Sequence, residues 1–255
     1  MIITDTHAHI YSELFEIDQT QMMQRAISLG VSRFFVPAID SSYTKAMFAI
    51  EKQFPENVFL MMGLHPTNVK ENVADELAMV KEWIDKRPFY GVGEIGIDLY
   101  WDKTFLKQQQ DAFKIQMEWA KEKKLPVIIH IRNSFNEVFE VLDDVKDDQL
   151  FGIFHCFTGT KNQAEKALSY QMKLGIGGVV TFKNGKIDQF LHEIPLKHIV
   201  LESDAPYLAP IPYRGKRNES SYLPFIIDKL AQIYKLTPTE IAAITTQNSK
   251  DIFGI

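Results

Sequence analysis

The stretch Asp5-Thr6-His7-Ala8-His9 follows the apolar and β-branched start Met1-Ile2-Ile3-Thr4, which is typical of a β-strand. Side chains two residues apart on a strand share a face and lie about 7 Å apart. We therefore expect His7 and His9 to project side by side, with ring nitrogens that can converge on one divalent ion. Two histidines on an ordinary strand would need no ion, so the interpretation depends on what the later strands contribute.

Length and composition limit the possible classes of protein. The chain has 255 residues, of which 45% are hydrophobic and 24% charged, and its formal net charge is −5. This length suits two small domains or one (β/α) barrel of roughly 250 residues. Because the net charge gives no overall basic surface, a polyanionic substrate would need metal ions or a local basic patch.

The cysteine content and the hydropathy of the chain bear on its expected cellular compartment. The single Cys156 excludes an internal disulfide and fits a reducing environment. The sequence shows no signal-peptide pattern and no apolar run near the roughly 20 residues of a membrane span. We therefore expect a cytoplasmic protein without a membrane partner.

Strand-like and helix-like stretches alternate along the chain with short turns between them. Apolar or alternating runs predict eight strands, at residues 1–4, 33–36, 58–62, 89–94, 127–130, 150–155, 173–180 and 199–204. The run Thr237-Pro238-Thr239-Glu240 carries the cap residue, proline and glutamate of a helix start. No linker rich in Pro, Gly or Ser divides the chain.

Eight strands that are each followed by a helix indicate one parallel α/β domain over residues 1–255. We predict a TIM-like (β/α)8 barrel with an additional helix near the C-terminus. An open doubly wound sheet is the alternative. The chain lacks the phosphate-loop and dinucleotide glycine patterns common in such sheets, which favours the barrel.

Metal-competent side chains fall at the predicted ends of six strands. They are His7, His9, His65, Glu94, His130, His155 and Asp204. In a barrel the C-terminal strand ends form one rim, where groups from several strands meet. Each side chain alone would more often be structural, but their shared position predicts a metal centre at this rim. Their number exceeds the need of a single catalytic zinc and suggests two ions, an arrangement that suits phosphodiester hydrolysis.

Six motifs resemble those of the TatD family. They are Asp5-Thr6-His7-Ala8-His9, Gly63-Leu64-His65-Pro66, Gly91-Val92-Gly93-Glu94-Ile95-Gly96-Ile97-Asp98, His155-Cys156-Phe157-Thr158-Gly159, Glu202-Ser203-Asp204-Ala205-Pro206-Tyr207 and Arg214-Gly215-Lys216-Arg217-Asn218-Glu219. The resemblance covers nearly the whole chain. It implies a barrel-fold, metal-dependent deoxyribonuclease, a 3′–5′ exonuclease that uses Mg²⁺, with Mn²⁺ or Zn²⁺ as alternatives. The metal ligands that it implies are His7, His9, Glu94, His130, His155 and Asp204.

The chemistry of these side chains predicts their roles. Glu94 can present one oxygen to each ion and is the predicted bridge. One ion is expected on His7, His9 and Asp204, and the other on His130 and His155. Asp204 is also the candidate base for the attacking water. His65 is predicted not to bind metal but to meet the phosphate or the leaving oxygen, and a purely structural histidine is the alternative.

Two further carboxylates, Asp5 and Glu202, have roles that the sequence leaves open. Strand parity places Asp5 and Glu202 on the same side as His7 and Asp204. They could orient the imidazoles as hydrogen-bond partners, or they could simply pair with each other.

The segment 205–221 is the one long irregular stretch, and long rim loops are usually functional. Guanidinium groups suit phosphates and aromatic faces suit bases, so we predict that Arg214, Arg217 and Tyr207 bind DNA, with Arg132 as a further rim cation. A solvated loop is the alternative. A dinuclear amidohydrolase with a small, non-nucleic-acid substrate is the alternative function, and it would have little use for this basic segment. We expect a monomer.

Overall fold

The computed structural model, which describes all 255 residues, has eight parallel strands and eight α-helices. The strands are β1 (Ile3–Asp5), β2 (Val31–Val36), β3 (Val58–Leu60), β4 (Val92–Asp98), β5 (Val127–Arg132), β6 (Gly152–Phe154), β7 (Met172–Ile176) and β8 (Ile199–Leu201). The helices are α1 (Gln19–Ser28), α2 (Thr44–Gln53), α3 (Val73–Lys86), α4 (Leu106–Lys123), α5 (Phe135–Val145), α6 (Lys161–Leu168), α7 (Leu223–Tyr234) and α8 (Pro238–Phe253). None of these helices has the length and hydropathy needed to cross a membrane.

The strands close into a barrel. Neighbouring strands follow chain order in two groups, β1 to β3 and β4 to β8. A parallel bridge between Met62 and Val92 joins β3 to β4, and a second one between Ala8 and Ala205 joins the chain after β1 to the chain after β8. The TIM-like barrel predicted from the sequence is therefore confirmed.

The junction between the last strand and the first, here called the β8–β1 seam, is held by direct hydrogen bonds. Thr6 donates both its backbone N–H and its hydroxyl to the Leu201 carbonyl, each at 2.9 Å. One step further on, the backbone N–H of Asp204 donates to the His7 carbonyl at 2.9 Å. The seam therefore fixes the first and last candidate ligands relative to each other.

The barrel interior changes from apolar to polar along the strands. Its N-terminal end is filled by a small cluster made of Phe35, Met61, Ile128, Ile153, Val200, Ile252 and Phe253. Phe253 of α8 stacks on Phe35 of β2 with ring centroids 3.6 Å apart. Two residues beyond the strand members of this cluster, the inward positions are His130, His155 and Glu202. Alternate residues on the inward face of the strands therefore form an apolar layer at the N-terminal end of the barrel, here called the barrel floor, and a polar layer at the C-terminal rim.

Outward-facing side chains pack under the helices in a core of 61 buried residues. Helix α8 begins as its sequence predicts. The Thr237 hydroxyl accepts the Glu240 N–H at 3.2 Å, and the Glu240 carboxylate accepts the Thr237 N–H at 2.8 Å. This capping box starts the helix whose far end closes the barrel floor.

One predicted feature of the barrel is wrong, because no α-helix follows β7. Residues 178–198 form four short 3₁₀ turns instead. Apolar residues at helical spacing do occur there, but they lie between Gly185 and Pro195, and both residue types disfavour an α-helix. Helix α7 packs against two of these turns, so β8 is followed by two α-helices and β7 by none.

The predicted strand boundaries differ from the structure by up to four residues, and the largest differences concern the fourth and seventh strands. The fourth strand was expected at 89–94 but spans Val92–Asp98, since Ile95 and Ile97 extend it by packing outward into the core. Glu94 is therefore inside β4, and Asp98 is its rim end. The seventh strand was expected at 173–180 but ends at Ile176.

Candidate metal centre

Glu94 lies at the centre of the candidate ligands and is 2% exposed. Its Oε2 is 3.1 Å from His7 Nε2 and 3.4 Å from His9 Nε2. Its Oε1 is 2.7 Å from His130 Nδ1 and 2.9 Å from His155 Nε2. The two oxygens thus face two different pairs of histidines, which is the geometry that a bridging carboxylate needs.

The two histidines next to β1 project side by side, with their Nε2 atoms 3.2 Å apart. The Tyr11 hydroxyl donates to the Pro37 carbonyl at 2.8 Å, so its oxygen is left to accept the Nδ1–H of His9 at 3.0 Å. The Nε2 lone pair of His9 therefore faces the site. Sequence reasoning missed Tyr11, although its position two residues after His9 places it on the same face.

His65 has a tautomer fixed by the backbone. Its Nδ1 accepts the backbone N–H of Thr67 at 3.1 Å, and a backbone N–H can only donate. In the neutral ring the proton is therefore on Nε2, which lies 3.3 Å from Glu94 Oε1 and 3.3 Å from His130 Nδ1. Burial lowers the pKa of His65, which favours this neutral form. His65 thus presents an N–H to the site, although by distance alone it could join a ligand group with Glu94 and His130.

Asp98 orients His130 and was missed by the sequence reasoning. Its Oδ2 is 2.9 Å from His130 Nε2, which leaves the opposite nitrogen, Nδ1, facing Glu94. Such carboxylate–histidine pairs fix ring orientation at metal sites. Asp98 lies four residues after Glu94 on the same strand face, so a longer predicted β4 would have revealed it.

Glu202 occupies the barrel interior behind His155 and is fully buried. Its Oε1 accepts the backbone N–H of Cys156 and lies 3.5 Å from His155 Nδ1. Its Oε2 has no hydrogen-bond partner and passes over Gly175 of β7, where a Cβ would lie 2.0 Å from it. Glu202 therefore faces an imidazole, one of the two arrangements that the sequence left open.

Asp5 does not pair with Glu202 but holds the backbone at the β8–β1 seam. Its carboxylate accepts the backbone N–H of Ser203 at 2.9 Å and the Ser203 hydroxyl at 2.6 Å. The His7 N–H approaches the same carboxylate at 3.3 Å. Asp5 thus positions the peptide that precedes Asp204 rather than an imidazole.

Asp204 lies three residues beyond the end of β8, with a left-handed backbone conformation of φ +56°. Its Oδ1 is 3.9 Å from His7 Nε2 and 3.8 Å from His9 Nε2, and the side chain has no hydrogen-bond partner. Burial raises the pKa of Asp204 to about 6. The carboxylate is thus available to a cation or to a proton from water.

The ionisable side chains of the centre shift one another's pKa values. Burial would raise the pKa of Glu94, but the surrounding histidines, His155 first among them, outweigh it and hold that pKa well below its usual value. Burial lowers the pKa of His7 well below the ordinary value. Burial would also lower the pKa of His155, but Glu94 and Glu202 raise it well above the ordinary range. Glu94 is therefore an anion among imidazoles that are not all neutral.

This donor set fits divalent ions. Three groups have ligand atoms that all lie within 4.8 Å of one another: His7 with His155 and Asp204, His7 with His9 and Glu94, and His65 with Glu94 and His130. Buried imidazoles and carboxylates that converge without lysine or arginine suit Zn²⁺, Mn²⁺ and related ions. Since the ligands must be deprotonated, an ion would replace the protons that this cluster holds.

The predicted substrate-binding residues occupy different surroundings. Tyr207 is 49% exposed, and its ring centroid lies 6.0 Å from that of His9. Arg214 stacks on Phe182 with its guanidinium carbon 4.4 Å from the ring centroid. Arg132 is the exposed last residue of β5, two residues after His130.

Arg217 is held by the protein itself. Its Nη1 and Nη2 donate to the two carboxylate oxygens of Asp18 at 2.6 and 2.8 Å. Nη1 also donates to the Leu14 carbonyl at 2.9 Å. Its charge is therefore already compensated, so the structure does not place it as a free phosphate ligand.

Asn218, a further residue that the sequence reasoning missed, ties the loop to the centre. It is fully buried, and its Nδ2 donates to the carbonyls of Ser203 and Tyr207 at 2.6 Å each. These two bonds flank Asp204. The loop that carries the arginines thus fixes the turn that carries the candidate base.

Comparison with known proteins identifies the family of this chain. A family model for TatD related DNase matches residues 4–254. The metal-dependent hydrolase YabD of Bacillus subtilis, itself uncharacterized, is 36% identical over 256 residues that cover all of both chains. The crystal structure of YjjV, a TatD homologue from Escherichia coli, has a TM-score of 0.93 and 27% identity over 99% of this chain and 98% of that one.

A more distant structure shares the fold alone. An uncharacterized amidohydrolase from Saccharomyces cerevisiae has a TM-score of 0.84 at 15% identity, over 99% of this chain and all of that chain. The family match extends across nearly the whole barrel, including every strand that supplies a candidate ligand. The chain therefore belongs to the TatD related DNase family and, within it, groups with metal-dependent hydrolases.

Proposed function

We propose that the protein is a divalent-metal-dependent nuclease that hydrolyses phosphodiester bonds of single-stranded DNA, removing nucleotides from the 3′ end. The observation that carries this proposal is the position of Glu94, whose two oxygens face separate sets of histidines. This arrangement suits two ions that share one carboxylate. Such a pair would supply positive charge to the attacking and leaving oxygens and would acidify the attacking water.

In this proposal Asp204 accepts a proton and His65 donates a hydrogen bond. Asp204 has no hydrogen-bond partner and a pKa of about 6, so near neutral pH it is ionised and can accept a proton from the attacking water. His65 presents its Nε2–H toward the same space because Thr67 holds its Nδ1. It can donate that hydrogen bond to a phosphate oxygen or to the leaving oxygen. Mg²⁺ is the expected ion, with Mn²⁺ or Zn²⁺ as alternatives.

An amidohydrolase that acts on a small neutral substrate is the second candidate, and one observation favours it. Arg217, which was expected to hold DNA, is paired with Asp18. The rim thus has fewer free cations than the sequence suggests. Arg132 and Arg214 form no ion pair, and they leave the rim with two uncompensated guanidinium groups for a polyanion.

The test uses purified protein and single-stranded DNA labelled at either the 3′ or the 5′ end. We expect release of mononucleotides from the 3′ end with Mg²⁺, Mn²⁺ or Zn²⁺, and none with a chelator. Asp204→Asn should abolish most of the release, while the matched control Asp148→Asn, an exposed carboxylate after α5, should not. Chelator-resistant cleavage would contradict the proposal. Turnover of small amides or lactones without DNA cleavage would favour the amidohydrolase.

A further inference from the structure

The loop after β4 exposes two aromatic side chains on the same rim as the donor cluster. Trp101 is 70% exposed and Tyr100 is 53% exposed. Their rings meet edge to face with centroids 4.9 Å apart. Exposed large aromatic groups beside a site are typical of ligand contact, since they present apolar surface that a bound group can cover.

Arg132 lies against these rings and is free to bind an anion. Its guanidinium carbon is 3.8 Å from the Tyr100 ring centroid and 5.3 Å from that of Trp101. Unlike Arg217, it forms no ion pair, and its side chain is exposed at the end of β5. A guanidinium stacked on an aromatic face keeps its N–H donors in the plane, where they can meet a phosphate.

One carboxylate joins this aromatic and cationic surface to the metal centre. Asp98 Oδ1 accepts the backbone N–H groups of Tyr100 and Trp101 at 2.9 and 3.3 Å. Its Oδ2 is the partner of His130 Nε2 at 2.9 Å. Asp98 also pairs in register with Arg132, and the Leu99 N–H donates to the Arg132 carbonyl at 2.9 Å. The loop is therefore fixed relative to the ligand side chain.

The spacing of residues along β5 sets the distance between Arg132 and the metal centre. Arg132 follows His130 by two residues, which is about 7 Å along a strand. This separation is close to that of two neighbouring phosphates in an extended single strand. A phosphate at the donor cluster would therefore leave the next phosphate near Arg132 and the intervening base near the rings.

We infer that Trp101 and Tyr100 form a stacking site for an unpaired base, and that Arg132 binds the phosphate next to the one that is cleaved. The inference rests on the proposed function and specifies its substrate: a single strand with a base beside the scissile bond. A base that is paired in a duplex cannot offer its face to Trp101. The site thus selects single strands through stacking rather than through sequence-specific hydrogen bonds.

Binding without turnover tests the inference. Affinity for a single-stranded oligonucleotide is measured in chelator, beside the same oligonucleotide with abasic residues at its 3′ end. Trp101→Ala should weaken binding of the normal strand about tenfold, which equals about 1.4 kcal/mol and lies within the range for stacking on one base. Trp101→Phe should restore most of it. The abasic strand should bind wild type and Trp101→Ala equally.

Arg132 is tested by the salt dependence of binding. Arg132→Ala should reduce the log–log salt slope by about 0.7, the value for one phosphate on a single strand. Arg132→Lys should restore the slope. Lys52→Ala is the matched control, because it removes one exposed charge at the end of α2 and should leave the slope unchanged.

The outcomes separate the site from the proposed function. If wild type cleaves DNA but the Trp101 and Arg132 variants bind it as wild type does, the stacking site is wrong and the nuclease proposal stands. If Trp101→Ala weakens the normal and abasic strands equally, base stacking is refuted. If wild type neither binds nor cleaves DNA, the proposed function itself fails.

Discussion

Gly175→Ala tests whether the buried position of the Glu202 carboxylate, behind His155, requires that residue 175 of β7 has no side chain. A Cβ at this position would lie 2.0 Å from Glu202 Oε2 and 2.7 Å from its Cδ. The carboxylate would have to move away from the Cys156 N–H, its hydrogen-bond donor. Overpacking costs about 1 to 3 kcal/mol, and a buried charge that loses a hydrogen bond costs about 1.5 to 3 kcal/mol. We therefore expect Gly175→Ala to lower the free energy of unfolding by about 3 to 5 kcal/mol.

The assay is urea denaturation of the metal-free protein followed by far-UV circular dichroism. Gly177→Ala is the matched control on the same side of the barrel, because its Cβ would come no closer than 3.3 Å to the Glu202 carbonyl oxygen and 3.6 Å to the Glu202 side chain. It should cost less than about 1 kcal/mol. A double-mutant cycle with Glu202→Ala gives the decisive comparison. In that background only the His155 Cα, at 3.2 Å from the Cβ, remains close, so Gly175→Ala should cost less than about 1 kcal/mol. An equal cost in both backgrounds would refute the reasoning.

Three further substitutions test the centre and its loop. Glu94→Gln keeps the shape but removes the central charge, so turnover on the labelled strand should fall by about 10²-fold or more, and full activity with two ions bound would contradict the bridging role. Because burial raises the pKa of Asp204 to about 6, a proton competes with a cation below that pH, so metal affinity in calorimetric titrations should fall as the pH drops from 7 to 5. Asp204→Asn should make this dependence less steep, and an unchanged slope would assign the proton to another ligand. Arg217→Ala should lower the free energy of unfolding by about 1 kcal/mol through loss of the Asp18 pair, without changing the salt slope of DNA binding. Weaker DNA binding at unchanged stability would instead restore the substrate role predicted from the sequence.

The rim could be predicted from the sequence because strand parity is a local property. The i, i+2 spacing of His7 and His9 and the position of His130 after an apolar strand both follow from neighbours in the chain. The barrel and its inward side chains therefore follow from counting strands. Asp98 was missed only because the fourth strand was expected to stop at Glu94.

Other features depend on contacts that no local pattern reveals. The pair between Asp18 and Arg217 joins residues 199 apart in the chain, so the sequence shows a free basic loop where the structure has an ion pair. The tautomer of His65 depends on a turn whose hydrogen bonds exist only after folding. The region after β7 has helical spacing, but Gly185 and Pro195 enclose it and it folds into 3₁₀ turns.

A metal ion at this centre would also affect how firmly the barrel stays closed at the β8–β1 seam. His7 lies on one side of this seam and Asp204 on the other, so an ion held by both would act as a removable cross-link across roughly 200 residues of chain. Closing so long a loop is entropically costly, and the cost grows only slowly with further length. Loss of the ion would leave the hydrogen bonds of Thr6 and Asp204 to hold the seam without the cross-link, so local opening there would become easier. Amide hydrogen exchange at Thr6 and Asp204 would then report occupancy of the metal centre.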